Sequence, residues 1–399
     1  MPPFAQRLAR SEVAAAVAMT ARARALRAEG HDVIALTLGE PDFPTPPHAI
    51  EAAHQAALRG ETKYPPQDGT PALKQAVRRY FARDGLAVGL DQVMVCNGGK
   101  QVLFDAWLAT VEEGDEVVIP TPYWSAYPLM TRALGGTPVF VACAQNNGFR
   151  PMPEDLAAAI TPRTRWVVLN FPNNPSGAVL GVADLQAIAA VLRRHPHVWV
   201  MCDEIYARLR FDGQPHVPLA VAAPDLAERI LTVSGVSKTY AMTGWRVGFG
   251  AGPAPLIAAM ANMQGQATSG ISTVGQAAAV AALDGPQDGV LAMVAAYRAR
   301  RDLVMAALDR MAGLSCHRPD GAFYLFPSIA GCLGRRSAGG AVIEDDESFC
   351  NALLEEAHLA LVPGRAFGAA DHVRLSTASD EATLQRACAR LAGFVEGLR

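Results

Sequence analysis

Two side chains eight residues apart, Lys238 and Arg246, carry the first chemical signal in this sequence. They lie in the stretch Leu231 to Gly250, LTVSGVSKTYAMTGWRVGFG. Leu231, Val233 and Val236 have the spacing of a buried strand, after which the chain breaks into small polar residues around Lys238. A lysine just past a buried strand end is partly desolvated. Desolvation lowers its pKa and frees a neutral amine to attack a carbonyl. Arginine holds a phosphate with a fixed fork of donors. A lysine for an aldehyde and an arginine for a phosphate are what pyridoxal phosphate requires. Taken alone, a Ser-Lys pair in a loop reads as a solvated surface lysine.

The elements that must position these groups read as alternating strands and helices. After a first helix, Val33 to Leu38 reads as a short strand, and Pro47 to Arg59 as a helix. A turn-rich loop carrying Tyr64 leads to a helix ending at Arg83. Gln92 to Cys96 is a strand, and Asn97-Gly98-Gly99-Lys100 opens a helix to Val111. A strand, a glycine turn and a helix N-terminus make a ready phosphate site, because free N–H groups point outward there. Further strands are expected at Glu116 to Pro120, Thr137 to Ala142, Trp166 to Phe171 and Val198 to Cys202. Leu185 to Arg194 reads as a helix. This alternation predicts an α/β fold with a mostly parallel central sheet. Ligands of such sheets bind beyond the carboxyl ends of the strands. Gly99, Trp124, Asn174, Asp203 and Lys238 all follow strand ends, so one cleft can collect them. Val280 to Met311 reads as one long helix leading out of this domain, and GAFYLFPS and HVRLSTA as strands of a smaller α+β lobe.

The motifs LGEPDF, KYPPQDGT, GGKQ, PYW, NFPNNPSG, CDEIY, SKTYAMTGWR, GAFY and VRLS follow one another along the chain. In this order the sequence resembles the class I aminotransferases, the pyridoxal-phosphate family of aspartate aminotransferase. The resemblance implies a fold type I transferase: residues 1–46 with the small domain, 47–290 as the large cofactor-binding domain and 291–399 as the small domain. It also implies a homodimer with shared active sites. By resemblance, Lys238 carries the cofactor, Asp203 pairs with its ring nitrogen, and Asn174 and Tyr206 meet its phenolic oxygen. Trp124 would stack on the ring. Arg246, Ser237, the amides of Gly99 and Lys100, and Tyr64 of the neighbouring subunit would hold the phosphate. Arg374 would grip the substrate α-carboxylate, with Gly39, Trp124 and Asn174 beside it. Each has a plainer reading alone: Asp203 as a helix cap, Asn174 as a turn residue, Trp124 as core, Arg374 as a strand-edge cation. The family usually writes Ser-x-Ser-Lys before the lysine. Here Gly235 stands in place of the first serine, and whether Ser234 replaces that hydroxyl is open.

The substrates implied are amino acids and 2-oxo acids. The sequence resembles bacterial aspartate aminotransferases that keep a lysine in the GGKQ motif, and the resemblance implies that Lys100 helps bind the distal carboxylate of an acidic donor, aspartate, with 2-oxoglutarate as acceptor. Against this, those relatives often write Pro-Ser-Ala-Thr where this chain has Val13-Ala14-Ala15-Ala16, and lysine where Glu12 stands. A prephenate activity is weakened further by the same departures. Aromatic or neutral donors, or a lyase or synthase of the same fold, are the alternatives.

The remaining features set bounds. The chain has 399 residues, half of them hydrophobic, and a net charge of −3, which gives a polyanion such as nucleic acid little to bind. A cofactor-sensing regulator would need an added DNA-binding module, and the residues before LGEPDF are too few and insufficiently basic for one. Seven cysteines without a CxxC pair suggest a reducing compartment, the cytoplasm. No apolar run is long enough for a membrane span. The Ala- and Arg-rich N-terminus reads as a helix packed on the body rather than a cleaved leader. His195-Pro196-His197 lacks a third ligand and reads as an exposed loop, not a metal site.

Overall fold

The structure, a computed structural model, describes residues 4–10 and 15–399. Glu12, Val13 and Ala14, weighed above for the substrate pocket, lie outside the described residues. Twelve strands occur among the described residues: β1 (Ile34–Ala35), β2 (Val93–Asn97), β3 (Glu116–Thr121), β4 (Thr137–Ala142), β5 (Thr164–Asn170), β6 (Trp199–Asp203), β7 (Ile230–Gly235), β8 (Val247–Ala251), β9 (Tyr324–Leu325), β10 (Leu359–Ala360), β11 (Val362–Pro363) and β12 (Val373–Ser376). Seven of them form the central sheet, in the order β2-β8-β7-β6-β5-β3-β4. Only β8 runs against its neighbours; β7, β6, β5, β3 and β4 are parallel. Their carboxyl ends therefore fall on one edge, and register places Asn170 opposite Asp203 and Asp203 opposite Val233.

Both faces of the sheet are covered, which is why its strands read as continuous apolar runs rather than alternating ones. Under the lysine loop, Tyr80, Phe81 and Phe249 pack edge to face in one core. Full burial of each such ring is worth about 1.5–3 kcal/mol. A second core, on the other face, holds Trp107, Tyr127 and Trp166. A separate core joins Met19, Ala23, Ile34 and Leu36 to Leu353, Leu375 and Leu391, so the N-terminal helix Ala15–Ala28 packs on C-terminal elements. There β11, β12 and β9 form an antiparallel sheet, with β1 paired parallel to β10.

Several expectations are corrected. The long helix expected from Val280 to Met311 is two, Thr273–Asp284 and Asp288–Leu308. Between them, Pro286 lacks a backbone donor and disfavours helical geometry at Gly285, which ends the first helix. The strand expected from Val33 to Leu38 keeps only Ile34–Ala35, because the segment beyond leaves its strand partner to approach the site. GAFYLFPS contributes only Tyr324–Leu325 as strand. The helix after Gly98 ends at Leu108, short of Val111. Among the described residues, no helix is long and apolar enough to cross a membrane.

Candidate active site

The carboxyl ends of β2, β3, β5, β6 and β7 open into a cleft of about 770 Å³. Gly39, Gly99, Lys100, Trp124, Asn174, Asp203, Tyr206, Ser237, Lys238, Arg246 and Arg374 all line it. Tyr64 does not; it is 93% exposed on the chain surface.

Lys238 sits on the single helical turn Val236–Thr239 that caps β7. Its Nζ donates to the Gly39 carbonyl. Burial pulls its pKa down to about 8, with Glu40 opposing and Arg374 and Arg246 assisting. A neutral amine is thus accessible close to physiological pH. Gly39 is constrained by its neighbour, since a side chain there would run into the Tyr324 hydroxyl.

Asp203 ends β6 and is buried. Burial raises its pKa to about 6, opposed by hydrogen bonds from Tyr127 and from the Ile205 amide. The Tyr127 hydroxyl donates to Asp203 Oδ2 at 2.6 Å. Asn170 Nδ2 donates to the Asp203 carbonyl at 3.0 Å, and Asn170 Oδ1 accepts from the Asn174 amide at 3.0 Å. One asparagine therefore ties the end of β5 to both Asp203 and the loop that carries Asn174.

Arg374, on β12, is buried, and desolvation lowers its pKa. Its Nη1 donates to Asn174 Oδ1 at 3.0 Å and its Nη2 to the Thr37 carbonyl at 2.5 Å. Its guanidinium lies 4.8 Å from the ring centroids of both Tyr324 and Phe367. Nε is buried with no partner among the described residues, so one arm of the fork awaits an acceptor. The Tyr206 and Tyr324 hydroxyls share a hydrogen bond of 2.8 Å, and burial drives both phenols upward in pKa.

At the other end of the cleft, the helix Gly99–Leu108 points its first turn inward. Its leading amides have no acceptor inside the helix. Gly98 takes φ +84°, and a side chain there would collide with the Arg246 guanidinium. Arg246 itself has φ +55°, donates to the Thr243 carbonyl at 2.9 Å, and has no carboxylate partner among the described residues. Amides and a guanidinium bonded to backbone carbonyls alone among the described residues, those of Thr243 and Asn97, together make an anion cradle. Ser234 does not belong to it. Its hydroxyl faces the core and bonds Tyr80 at 3.2 Å, because successive strand residues point to opposite faces. Ser237 and Thr243 carry the hydroxyls of this segment that line the cleft, and Thr243 Oγ1 donates to Glu40.

Tyr127, Asn170, Tyr324 and Thr37 were not singled out from the sequence. A tyrosine one helical turn after Trp124 was the available signal for Tyr127. Asn170 was legible as the polar end of an apolar strand. His195 and His197 lie apart from the cleft, where the His197 ring meets the Thr161 carbonyl at 3.1 Å.

A family profile described as aminotransferase class I and II matches residues 31–391. An aspartate aminotransferase of Rhizobium meliloti is 49% identical over 99% of this chain and 96% of its own length. An aspartate/prephenate aminotransferase of Cereibacter sphaeroides is 48% identical over 98% of each. Among solved structures, the aspartate aminotransferase from Rhizobium meliloti superposes with a TM-score of 0.97 at 49% identity over all of both chains. The Thermus thermophilus aspartate aminotransferase with maleate gives 0.92 at 40% identity, covering 99% of this chain and 100% of the other. The chain belongs to the aminotransferases of class I and II, a family of enzymes that work with pyridoxal 5′-phosphate.

Proposed function

We propose that this chain is an aspartate aminotransferase, moving the amino group of aspartate to 2-oxoglutarate on pyridoxal 5′-phosphate in a ping-pong cycle. The observation that carries the reading is one cleft holding a half-buried amine at Lys238, a buried carboxylate at Asp203 and an arginine, Arg374, whose Nε has no partner among the described residues. The residues fit the cofactor. Arg246, the Ser237 hydroxyl and the amides of Gly99 and Lys100 would hold its phosphate. Asp203, which has no cation hydrogen-bonded to its carboxylate among the described residues, would take the protonated ring nitrogen. Trp124 would cover the ring face, and Asn174 and Tyr206 would meet the phenolic oxygen.

When bound, the cofactor supplies an aldehyde for the amine and a ring that withdraws the electron pair left at the substrate α-carbon. Arg374 binds the α-carboxylate in a fork and so fixes the α-carbon relative to Lys238. Lys238 Nζ, neutral above about pH 8, is the base that can take the α-proton. Asp203, whose carboxylate is ionised above about pH 6, would hold a proton on the ring nitrogen. Lys100 supports the acidic donor. Its Nζ lies 4.9 Å from the Trp124 ring centroid, at the cleft, where a second carboxylate can reach it. The exposed Tyr64 supports a homodimer in which it completes the phosphate site of the partner.

The likeness to the aspartate/prephenate enzyme of Cereibacter sphaeroides favours prephenate as a second amino acceptor. A panel of amino donors against 2-oxoglutarate, repeated with prephenate as acceptor, tests both readings. Preference for aspartate supports the first. A wild-type protein preferring phenylalanine over aspartate overturns it.

A further inference from the structure

The N-terminal helix Ala15–Ala28 turns Val17, Thr20, Ala21 and Arg24 toward the cleft. That is the i, i+3, i+4, i+7 spacing of one helical face. The helix carries three arginines, Arg22, Arg24 and Arg27, and two of them have structural work. Arg22 bonds Asn351 and Glu355, and Arg27 donates to the Val33 carbonyl at 2.9 Å. Arg24 has no hydrogen-bond or ion-pair partner among the described residues. It is exposed, yet it lines the cleft.

The charge balance of the cleft asks what Arg24 is for. Among the described residues that line the cleft, Arg24, Lys100, Lys238, Arg246 and Arg374 face one acid, Asp203. Lys238, Arg246 and Arg374 are accounted for by the amine, the phosphate and the α-carboxylate. Lys100 stands against Trp124 at the cleft, where burial first and then the nearby Arg246 lower its pKa, and it is open to a second carboxylate. Arg24 reaches in from another wall. The position of that wall is fixed: Thr20 Oγ1 and Thr37 Oγ1 share a hydrogen bond of 2.7 Å, and the Thr37 carbonyl is the acceptor of Arg374. Arg24 lies one turn beyond Thr20, about 6 Å along the helix axis. An arginine tethered near the α-carboxylate grip, and one turn away from it, is placed for a second carboxylate on the same substrate.

We propose that Arg24 is the specificity-determining residue for dicarboxylates, gripping the distal carboxylate of aspartate and of 2-oxoglutarate, with Lys100 as the second cation. This rests on the reading of the chain as an aminotransferase for acidic substrates. The two substrates differ by one methylene in the reach of that carboxylate. A long side chain held by no other partner among the described residues can follow both, and its planar fork takes either in a bidentate pair. The same charge gives a neutral donor nothing.

The test uses holoenzyme of wild type, Arg24→Leu, Arg24→Lys and Lys100→Ala. Single-turnover half-reactions with aspartate or phenylalanine alone avoid any effect on the acceptor. The ratio of the aspartate to the phenylalanine rate constant should fall about tenfold or more in Arg24→Leu, and Arg24→Lys should recover part of it. Calorimetric titration with maleate, an unreactive dicarboxylate, should show a matching loss of affinity in Arg24→Leu, while propionate binding changes less than twofold. An Arg24→Leu ratio within twofold of wild type, or equal losses for both donors, overturns the inference. If Lys100→Ala abolishes the preference and Arg24→Leu leaves it, the acidic-substrate reading stands and this inference fails. If the wild-type protein neither prefers aspartate nor binds maleate, the acidic-substrate reading itself fails.

Discussion

Replacing Tyr127 with phenylalanine should move the pH dependence of cofactor binding without disturbing the fold. The hydroxyl donates to Asp203 Oδ2 at 2.6 Å, with both residues buried. Burial pushes the Asp203 carboxyl upward, the Tyr127 hydrogen bond is the largest influence opposing it, and the balance lies at about 6. Phenylalanine keeps the ring and its edge contacts with Trp107 and Trp124. It removes only a hydrogen bond to an ionised acceptor, worth about 1.5–3 kcal/mol, which corresponds to about 1–2 pH units in the carboxyl titration. The sign is upward, because the lost bond favoured the charged form. The assay is equilibrium titration of the apoprotein with pyridoxal 5′-phosphate from about pH 5 to pH 9. Wild-type affinity should weaken below about pH 6, where Asp203 takes up its proton. The acidic limb of Tyr127→Phe should stand about 1–2 pH units higher, and the two curves should converge at the alkaline end. Coincident limbs, or a variant weaker by the same factor at every pH, would refute the reasoning.

Three further expectations can be checked with simpler measurements. Asp105 is 1% exposed on the helix Gly99–Leu108, and burial raises its pKa to about 6. The folded state therefore holds that proton more tightly than the unfolded chain; the resulting stability is present below about pH 4 and lost as pH rises through about 6, up to roughly 3 kcal/mol in all. Asp105→Asn should raise the melting temperature at pH 8 and leave it unchanged at pH 4; no gain at pH 8 would contradict this. Arg374→Lys keeps the charge but loses the fork, so KM should rise about tenfold or more for every amino acid regardless of side chain; unchanged kinetics across a donor panel would place the carboxylate grip elsewhere. Tyr64→Phe should weaken cofactor affinity about tenfold, the value of one hydrogen bond to a charged group, and diluting the wild type below its dimer dissociation range should have a comparable effect. A monomer at all concentrations would remove the reason for Tyr64.

The positions of Lys238, Asp203, Asn174 and Trp124 were legible because each follows an apolar run, and parallel strands bring such positions to one edge. Arg374 was legible only through its motif, since nothing in VRLS distinguishes a buried fork from an exposed strand cation. Tyr127 and Tyr324 were missed for a common reason. Their partners, Asp203 and Tyr206, lie 76 and 118 residues away, and no local pattern encodes a hydrogen bond made across the fold. The orientation of Ser234 was within reach of strand alternation, because Val233 beside it packs into the opposite core. The break at Gly285-Pro286 was visible as letters, but the apolar periodicity on either side outweighed it. The role argued for Arg24 needed the structure, because only the partners of Arg22 and Arg27 single it out from its neighbours on the helix.

The central claim is that Lys238 is the amine that carries the cofactor. Borohydride reduction of the holoenzyme followed by peptide mapping tests it most directly. The pyridoxyl group should be found on the peptide containing Lys238, and Lys238→Ala should still take up cofactor while losing transamination. A pyridoxyl group on Lys100 or any other lysine, with Lys238 unmodified, would contradict the account.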